Sequence, residues 1–251
     1  MVSPFYSYYA AILELLRTIY ENEQESIRAA SEVVASQIAA GNLIHVFGSG
    51  GHSAMGAEEL TYRAGGLVPV NPILDPGVSL YFGAVRSTIV ERTPGYMSGI
   101  LRYYRIKSGE AIIIVNAYGV NAATIDAAVV AKELGLVVIG VTSTATANLL
   151  APDHPSRHPS GKNLHEIVDV FVNTHVPAGD AVVEIESFPQ KVASVSTIAN
   201  AFALESIVAE TVKALVARGI SPPVWMSANL PGGDENNKKF IDQYTGRVKH
   251  L

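Results

Sequence analysis

Val46-Phe47-Gly48-Ser49-Gly50-Gly51-His52-Ser53 is the stretch that decides the fold of this chain. An apolar run, Leu43 to Phe47, passes straight into glycines and then into a helical pattern from Ser53 to Ala64. Backbone N–H groups at a helix start have no partner within the helix, and the helix dipole favours an anion there. Glycines let a ligand approach the backbone closely, and Ser49 and Ser53 add hydroxyl donors. Ser49, Gly50, Gly51 and Ser53 are therefore candidate phosphate ligands. The alternative is a tight strand-to-helix turn capped by Ser53 that holds nothing.

Working outward, short apolar runs alternate with helical stretches. Leu67 to Val70 follows the first helix; Ala111 to Val115, a helix over Ala122 to Leu134, and Leu136 to Val141 come later. This βαβα order, with strands apolar on both faces, predicts a parallel sheet covered by helices on each side. Val168 to Val172 supplies a fifth strand. Upstream, apolar residues at helical spacing (Ile12, Leu15, Leu16, Ile19, then Ile27, Val34, Ile38) predict an N-terminal helical pair stopped at Gly41. Downstream, a long helix from about Lys191 to Ala217 precedes Ser221-Pro222-Pro223, and Pro231-Gly232-Gly233 opens a short helix in a polar tail. The expected organisation is one domain over 1–251: a helical pair (1–40), an α/β core (41–190), and a helix with its tail (191–251). Asn71 to Pro94 and Ser143 to Lys162 read as long loops, which are usually functional.

Composition narrows the function. Hydrophobic residues make up 48% and charged residues 16%, which predicts surface buried in a homo-oligomer. A net charge of −5 argues against nucleic acid and anionic membranes as partners. With no cysteine, disulfides, zinc–thiolate sites and cysteine nucleophiles are excluded together. Met1 to Tyr20 mixes aromatics with Glu14 and Arg17, unlike a signal peptide, and no run reaches the roughly 18 apolar residues of a membrane span. A cytoplasmic location is expected.

A dinucleotide site would require a third glycine where Ser53 stands and an acidic residue ending the second strand, which instead ends at Asn71-Pro72. No P-loop or HExxH motif occurs, and no cofactor or metal is expected. The second strand-to-helix junction, Asn116-Ala117-Tyr118-Gly119-Val120-Asn121, falls on the same sheet edge as the first, making Asn116, Tyr118 and Asn121 candidate ligands. Glu59 and Arg63 share a helix face, either as a plain ion pair or with Glu59 as a proton-transfer base. His52 and His175 are the histidines best placed to partner it, while His45, in mid-strand, reads as core. Arg157 in its basic loop, Ser143 at the start of that loop, and Asp180 past the fifth strand complete the candidate binding set. Glu91-Arg92 is a further pair for the same pocket.

The residues Gly48–Ser53, Ala131–Thr142, Ser156–Lys162 with Asp169, and Ser227–Asn236 resemble the SIS, or sugar isomerase, domain family, in a bacterial branch similar to phosphoheptose isomerases. The resemblance implies a three-layer α/β/α sandwich of flavodoxin-like or Rossmann-like type around five parallel strands. It also implies a phosphosugar as the small-molecule partner, and a homodimer or homotetramer whose subunits share sites. Glu59-x-x-x-Arg63 is similar to the Glu-x-x-x-Arg of phosphoheptose isomerases, although it lies fewer residues past the glycines. The second loop departs from the family, which there shows a Ser-x-Ser-Gly-x-Ser/Thr run. The activity implied is aldose–ketose isomerisation of a sugar phosphate. The alternatives are elimination of an ether group from an amino-sugar phosphate, with Glu91 as acid or base, and phosphosugar sensing without catalysis.

Overall fold

In the computed structural model, which describes residues 2–251, the apolar runs and helical stripes resolve into helices and strands as follows. Helices α1 (Pro4–Asn22) and α2 (Gln24–Ala39) lead into strand β1 (Ile44–Gly48) and the short helix α3 (Ala54–Glu59). Strand β2 (Val70–Pro72) is followed by α4 (Ala84–Glu91) and α5 (Tyr96–Tyr103). Then come β3 (Ala111–Val115), α6 (Ala122–Glu133), β4 (Val137–Thr142) and β5 (Val170–Asn173). A hairpin of β6 (Ala181–Val183) and β7 (Val192–Ser194) precedes the long α7 (Ser196–Ala217), and α8 (Gly233–Tyr244) lies in the tail.

The main sheet has five parallel strands in the order β2-β1-β3-β4-β5, in register at Ile44 with Ala111 and Ala111 with Val137. Alternation along β3 sends Ala111, Ile113 and Val115 to one face and Ile112 and Ile114 to the other. The first face packs on α1, α2, α3 and α7; the second packs on α5 and α6. This is the expected α/β/α sandwich. A smaller cluster of Leu43, Val68, Trp225, Tyr244 and Val248 docks the tail. Among the described residues no helix is long and apolar enough to cross a membrane.

Four expectations need correction. The helix read over Ser53 to Ala64 is a 3-10 turn, Gly51–Ser53, followed by α3, which stops at Leu60 because Tyr62 and Gly65 take positive φ values of 50° and 86°. The second strand is Val70–Pro72 rather than Leu67 to Val70: Leu67 bridges to Val224 instead, and Pro72 is tolerated because β2 is an edge strand. The long helix starts at Ser196, since Val192–Ser194 pairs with β6. The stretch read as a loop from Asn71 to Pro94 contains α4, and α5 follows directly.

Candidate functional site

From β1 the sheet grows outward to β2 on one side and through β3 to β4 and β5 on the other, and the crevice at the carboxyl ends of β1 and β3, where the strand order reverses, is where such sheets take ligands. A cavity of about 430 Å³ opens there. The β1 turn forms one wall. A Cβ on Gly48 would lie 1.8 Å from the Ser53 carbonyl oxygen, so only glycine lets the chain fold back so tightly. Gly50, at φ 79° and ψ 145°, holds a backbone that side chains avoid, and a Cβ there would lie 1.7 Å from Glu91 Oε2.

The β3 turn forms the second wall and is bolted to the first. Asn116 Nδ2 donates to the Ser49 carbonyl at 2.8 Å and to Ser49 Oγ at 3.0 Å, while its Oδ1 accepts the N–H groups of Tyr118 (3.0 Å) and Gly119 (2.7 Å). Ser49 Oγ, 1% exposed, also bonds Thr124 Oγ1. Ser53 does not cap α3 through its side chain; its hydroxyl accepts the Ala117 N–H at 3.4 Å. Asn121 Nδ2 donates to Ser156 O at 3.3 Å. Ser49 and Asn116 thus hold the two turns together, and their polar atoms are largely committed to that.

The third wall is α4, which presents Ala84, Ser87, Thr88 and Glu91, with Arg92 just beyond it, to the cavity. Ser87 Oγ accepts the Gly51 N–H at 3.3 Å and donates to Val78 O at 2.7 Å, fixing the helix against the glycine turn. Burial pushes the Glu91 carboxyl above its ordinary pKa, against the opposing pull of Arg92. Tyr118 is also raised, by burial and then by the charge of Asp180. Thr146 reaches the cavity with a buried hydroxyl that has no hydrogen-bond partner among the described residues, and His52 and His154 supply imidazoles.

Of the residues singled out in the sequence, Ser49, Gly50, Gly51, His52, Ser53, Asn116, Tyr118, Asn121 and Asp180 meet at this cavity. Glu59, His175, Ser143 and Arg157 do not line it. Glu59 pairs with Arg63 Nε at 3.1 Å, and Arg63 lies 3.8 Å from Glu205. His175 Nε2 bonds Glu23 Oε1 at 2.8 Å, tying the α1–α2 junction to the chain after β5. Ser143 Oγ donates to Val176 O at 2.7 Å. The Arg157 guanidinium donates to Ala147 O, to Leu150 O at 3.3 Å and to Asn163 Oδ1 at 2.9 Å, stitching its own loop. Asp180 accepts the N–H groups of Val195 and Ser196 and the Ser196 hydroxyl, so its carboxylate caps α7 from a distance. Among the described residues, the arginine or lysine that reaches the cavity is Arg92. Thr88 and Thr146 had no signal in the sequence beyond lying in long loops.

Comparison with known proteins agrees with this architecture. The sequence model of the SIS domain family matches residues 7–143. The chain belongs to the SIS domain family. This SIS domain protein is also 38% identical to a UPF0309 protein of Halalkalibacterium halodurans, over 98% of this chain and 96% of that one. To a UPF0309 protein of Caldanaerobacter subterraneus it is again 38% identical, over 97% and 98%. Among solved structures, the phosphoheptose isomerase of Francisella tularensis superposes with a TM-score of 0.52 at 14% identity, covering 85% of this SIS chain and all of that one. The phosphoheptose isomerase of Neisseria gonorrhoeae gives 0.52 at 16% identity, covering 80% and 92%. At those identities the SIS fold is what is shared.

Proposed function

We propose that this SIS domain protein binds a sugar phosphate in the β1–β3 cavity and interconverts its aldose and ketose forms by proton transfer. The observation that carries this reading is the Glu91 carboxyl group, half-buried against Gly50 inside a cavity of about 430 Å³, a size suited to a small phosphorylated metabolite. A carboxyl pushed upward in pKa is better matched to proton abstraction near neutral pH than an ordinary glutamate. Glu91 takes the C2 proton and returns it to C1, while a proton passes from the C2 hydroxyl to the C1 oxygen through the imidazole of His52 or His154, so the enediol forms and collapses to the ketose. Arg92 supplies charge for the phosphate, the imidazoles of His52 and His154 supply hydrogen bonds, and the Thr146 hydroxyl suits a sugar hydroxyl. The proton-transfer role first assigned to Glu59 thus passes to Glu91 within one chain. Glu59 and His175, which do not line this cavity, would act in it only from a neighbouring subunit, an arrangement that fits the shared sites the family resemblance implies.

One further reading rests on the same group. Elimination of an ether substituent from an amino-sugar phosphate starts with the same abstraction, and a protonated Glu91 would serve the leaving group. Incubation of the protein with a panel of aldose phosphates and amino-sugar phosphate ethers in D₂O, followed by NMR, tests both. Isomerisation predicts a ketose product carrying deuterium at C1, with deuterium at C2 of the recovered aldose; elimination predicts a released hydroxy acid instead. Binding without exchange at any substrate leaves a sensing module and overturns catalysis.

A further inference from the structure

The sheet has a second hollow at its opposite edge. A groove of about 470 Å³ opens beside the starts of β1 and β3, lined by His45, Asn71 and Glu110 and by four cations, Arg105, Lys107, Arg247 and Lys249. At roughly 3.3 Å per residue, the length of β1 puts it about 15 Å from the glycine turn.

The acidic and neutral groups on its floor are already committed. His45 Nε2 lies 2.9 Å from Glu110 Oε2, Asn71 Nδ2 donates to His45 Nδ1 at 3.1 Å, and the Lys249 N–H donates to Asn71 Oδ1 at 2.9 Å. The Lys107 N–H donates to Glu110 at 2.8 Å. Burial pushes the Glu110 carboxyl up, but hydrogen bonds from His45 and the Lys107 backbone outweigh it and leave the group below its ordinary value. Glu110 is therefore an ionised group turned toward His45.

The cations are not so committed. Among the described residues, none of the four pairs with a carboxylate. Arg247 donates to Gly41 O at 2.7 Å, and Lys249 Nζ lies over the Tyr103 ring at 3.0 Å. They arrive from two segments far apart in the chain, one before β3 and one at the tail, in a protein of net charge −5. Bringing like charges together costs free energy that an anion between them repays. Arg105 also holds a left-handed backbone, φ 53°, which a non-glycine residue keeps only when its surroundings enforce it.

We propose that this groove is a second anion site, separate from the β1–β3 cavity, that takes a small phosphate-bearing molecule. Arginine forks match phosphate oxygens in pairs, and the lysines add point charges. The site stands whether or not the first cavity is catalytic.

The test uses the full chain and calorimetric titration with two probes, inorganic phosphate and glucose 6-phosphate. Two variant pairs are compared with the parent: Arg105→Gln with Arg247→Gln, and Lys107→Gln with Lys249→Gln. All four side chains are exposed, and the second pair keeps the Arg247 bond to Gly41, so a fold lost in the first pair does not decide the matter. The expected result is that each folded pair binds one equivalent fewer per chain, or binds that equivalent at least about tenfold more weakly, while any remaining equivalent keeps its affinity. The tighter of the two probes tells an ester from free phosphate. A parent that binds neither probe, folded variants with unchanged stoichiometry and affinity, or the loss of two equivalents together would overturn the proposal.

Discussion

The Glu91 carboxyl is half-buried against Gly50, and its raised pKa sets two pH dependences of opposite use. As a base it must be ionised, so the acidic limb of kcat/KM falls above the usual glutamate value of about 4.3, and Glu91→Gln lowers kcat by roughly 10²–10⁴. For stability the sign reverses. Ionised Glu91 costs free energy above its folded pKa and nothing below the unfolded value of about 4.3. Glu91→Gln therefore raises the melting temperature at pH 7.5 and leaves it unchanged near pH 3.5, as calorimetry at the two pH values would show. An equal shift at both would mean the carboxyl is not strained by burial. Gly50 is the other half of this contact. Gly50→Ala adds a Cβ where Glu91 Oε2 now sits and forces a backbone that alanine avoids, which costs about 1–3 kcal/mol in denaturant unfolding and displaces the carboxyl, so activity falls with stability.

At the scale of elements, what could be read from sequence was what local physics controls. Runs such as Ala111–Val115 are apolar on both faces, and the structure keeps all five residues buried in the middle of the sheet. The glycine turn was legible because Gly48 and Gly50 are demanded by local backbone geometry. Contacts between distant segments were not. Nothing near Asp180 says that it will cap α7, sixteen residues on, yet it accepts the Ser196 N–H at 2.7 Å and the Ser196 hydroxyl at 2.7 Å. Similarly, Glu91 stands out in the sequence only as half of a Glu91-Arg92 pair closing a long loop, and its contact with Gly50 exists only once α4 forms. Glu59 stands out by its i, i+4 spacing, and the structure sets it 3.1 Å from Arg63, outside the lining of the β1–β3 cavity. Asp180→Ala uncaps α7 and costs about 1–2 kcal/mol, measured by urea unfolding, whereas Asp180→Asn keeps an acceptor and recovers part of the loss.

At the scale of the whole molecule, α4 presents two different faces. Toward the cavity it shows Ala84, Thr88 and Glu91; outward it shows Val85 and Ile89, 75% and 62% exposed, continuing a patch begun by Tyr81 and Phe82 at 86% and 62%. Helix α1 likewise leaves Phe5, Tyr6 and Tyr9 more than half exposed. Contiguous apolar surface of this kind is rare on monomers, and the 16% charged fraction of the chain leaves little to offset it. A second copy covering the outward face of α4 would clamp the helix that carries Glu91 and so couple assembly to the site. Sedimentation velocity at micromolar concentration is therefore expected to give a dimer or tetramer, and Val85→Glu with Ile89→Glu a monomer. Because Glu91 is untouched in that variant, the same preparation should lose turnover through a looser α4, and a monomeric parent would remove the argument at its root.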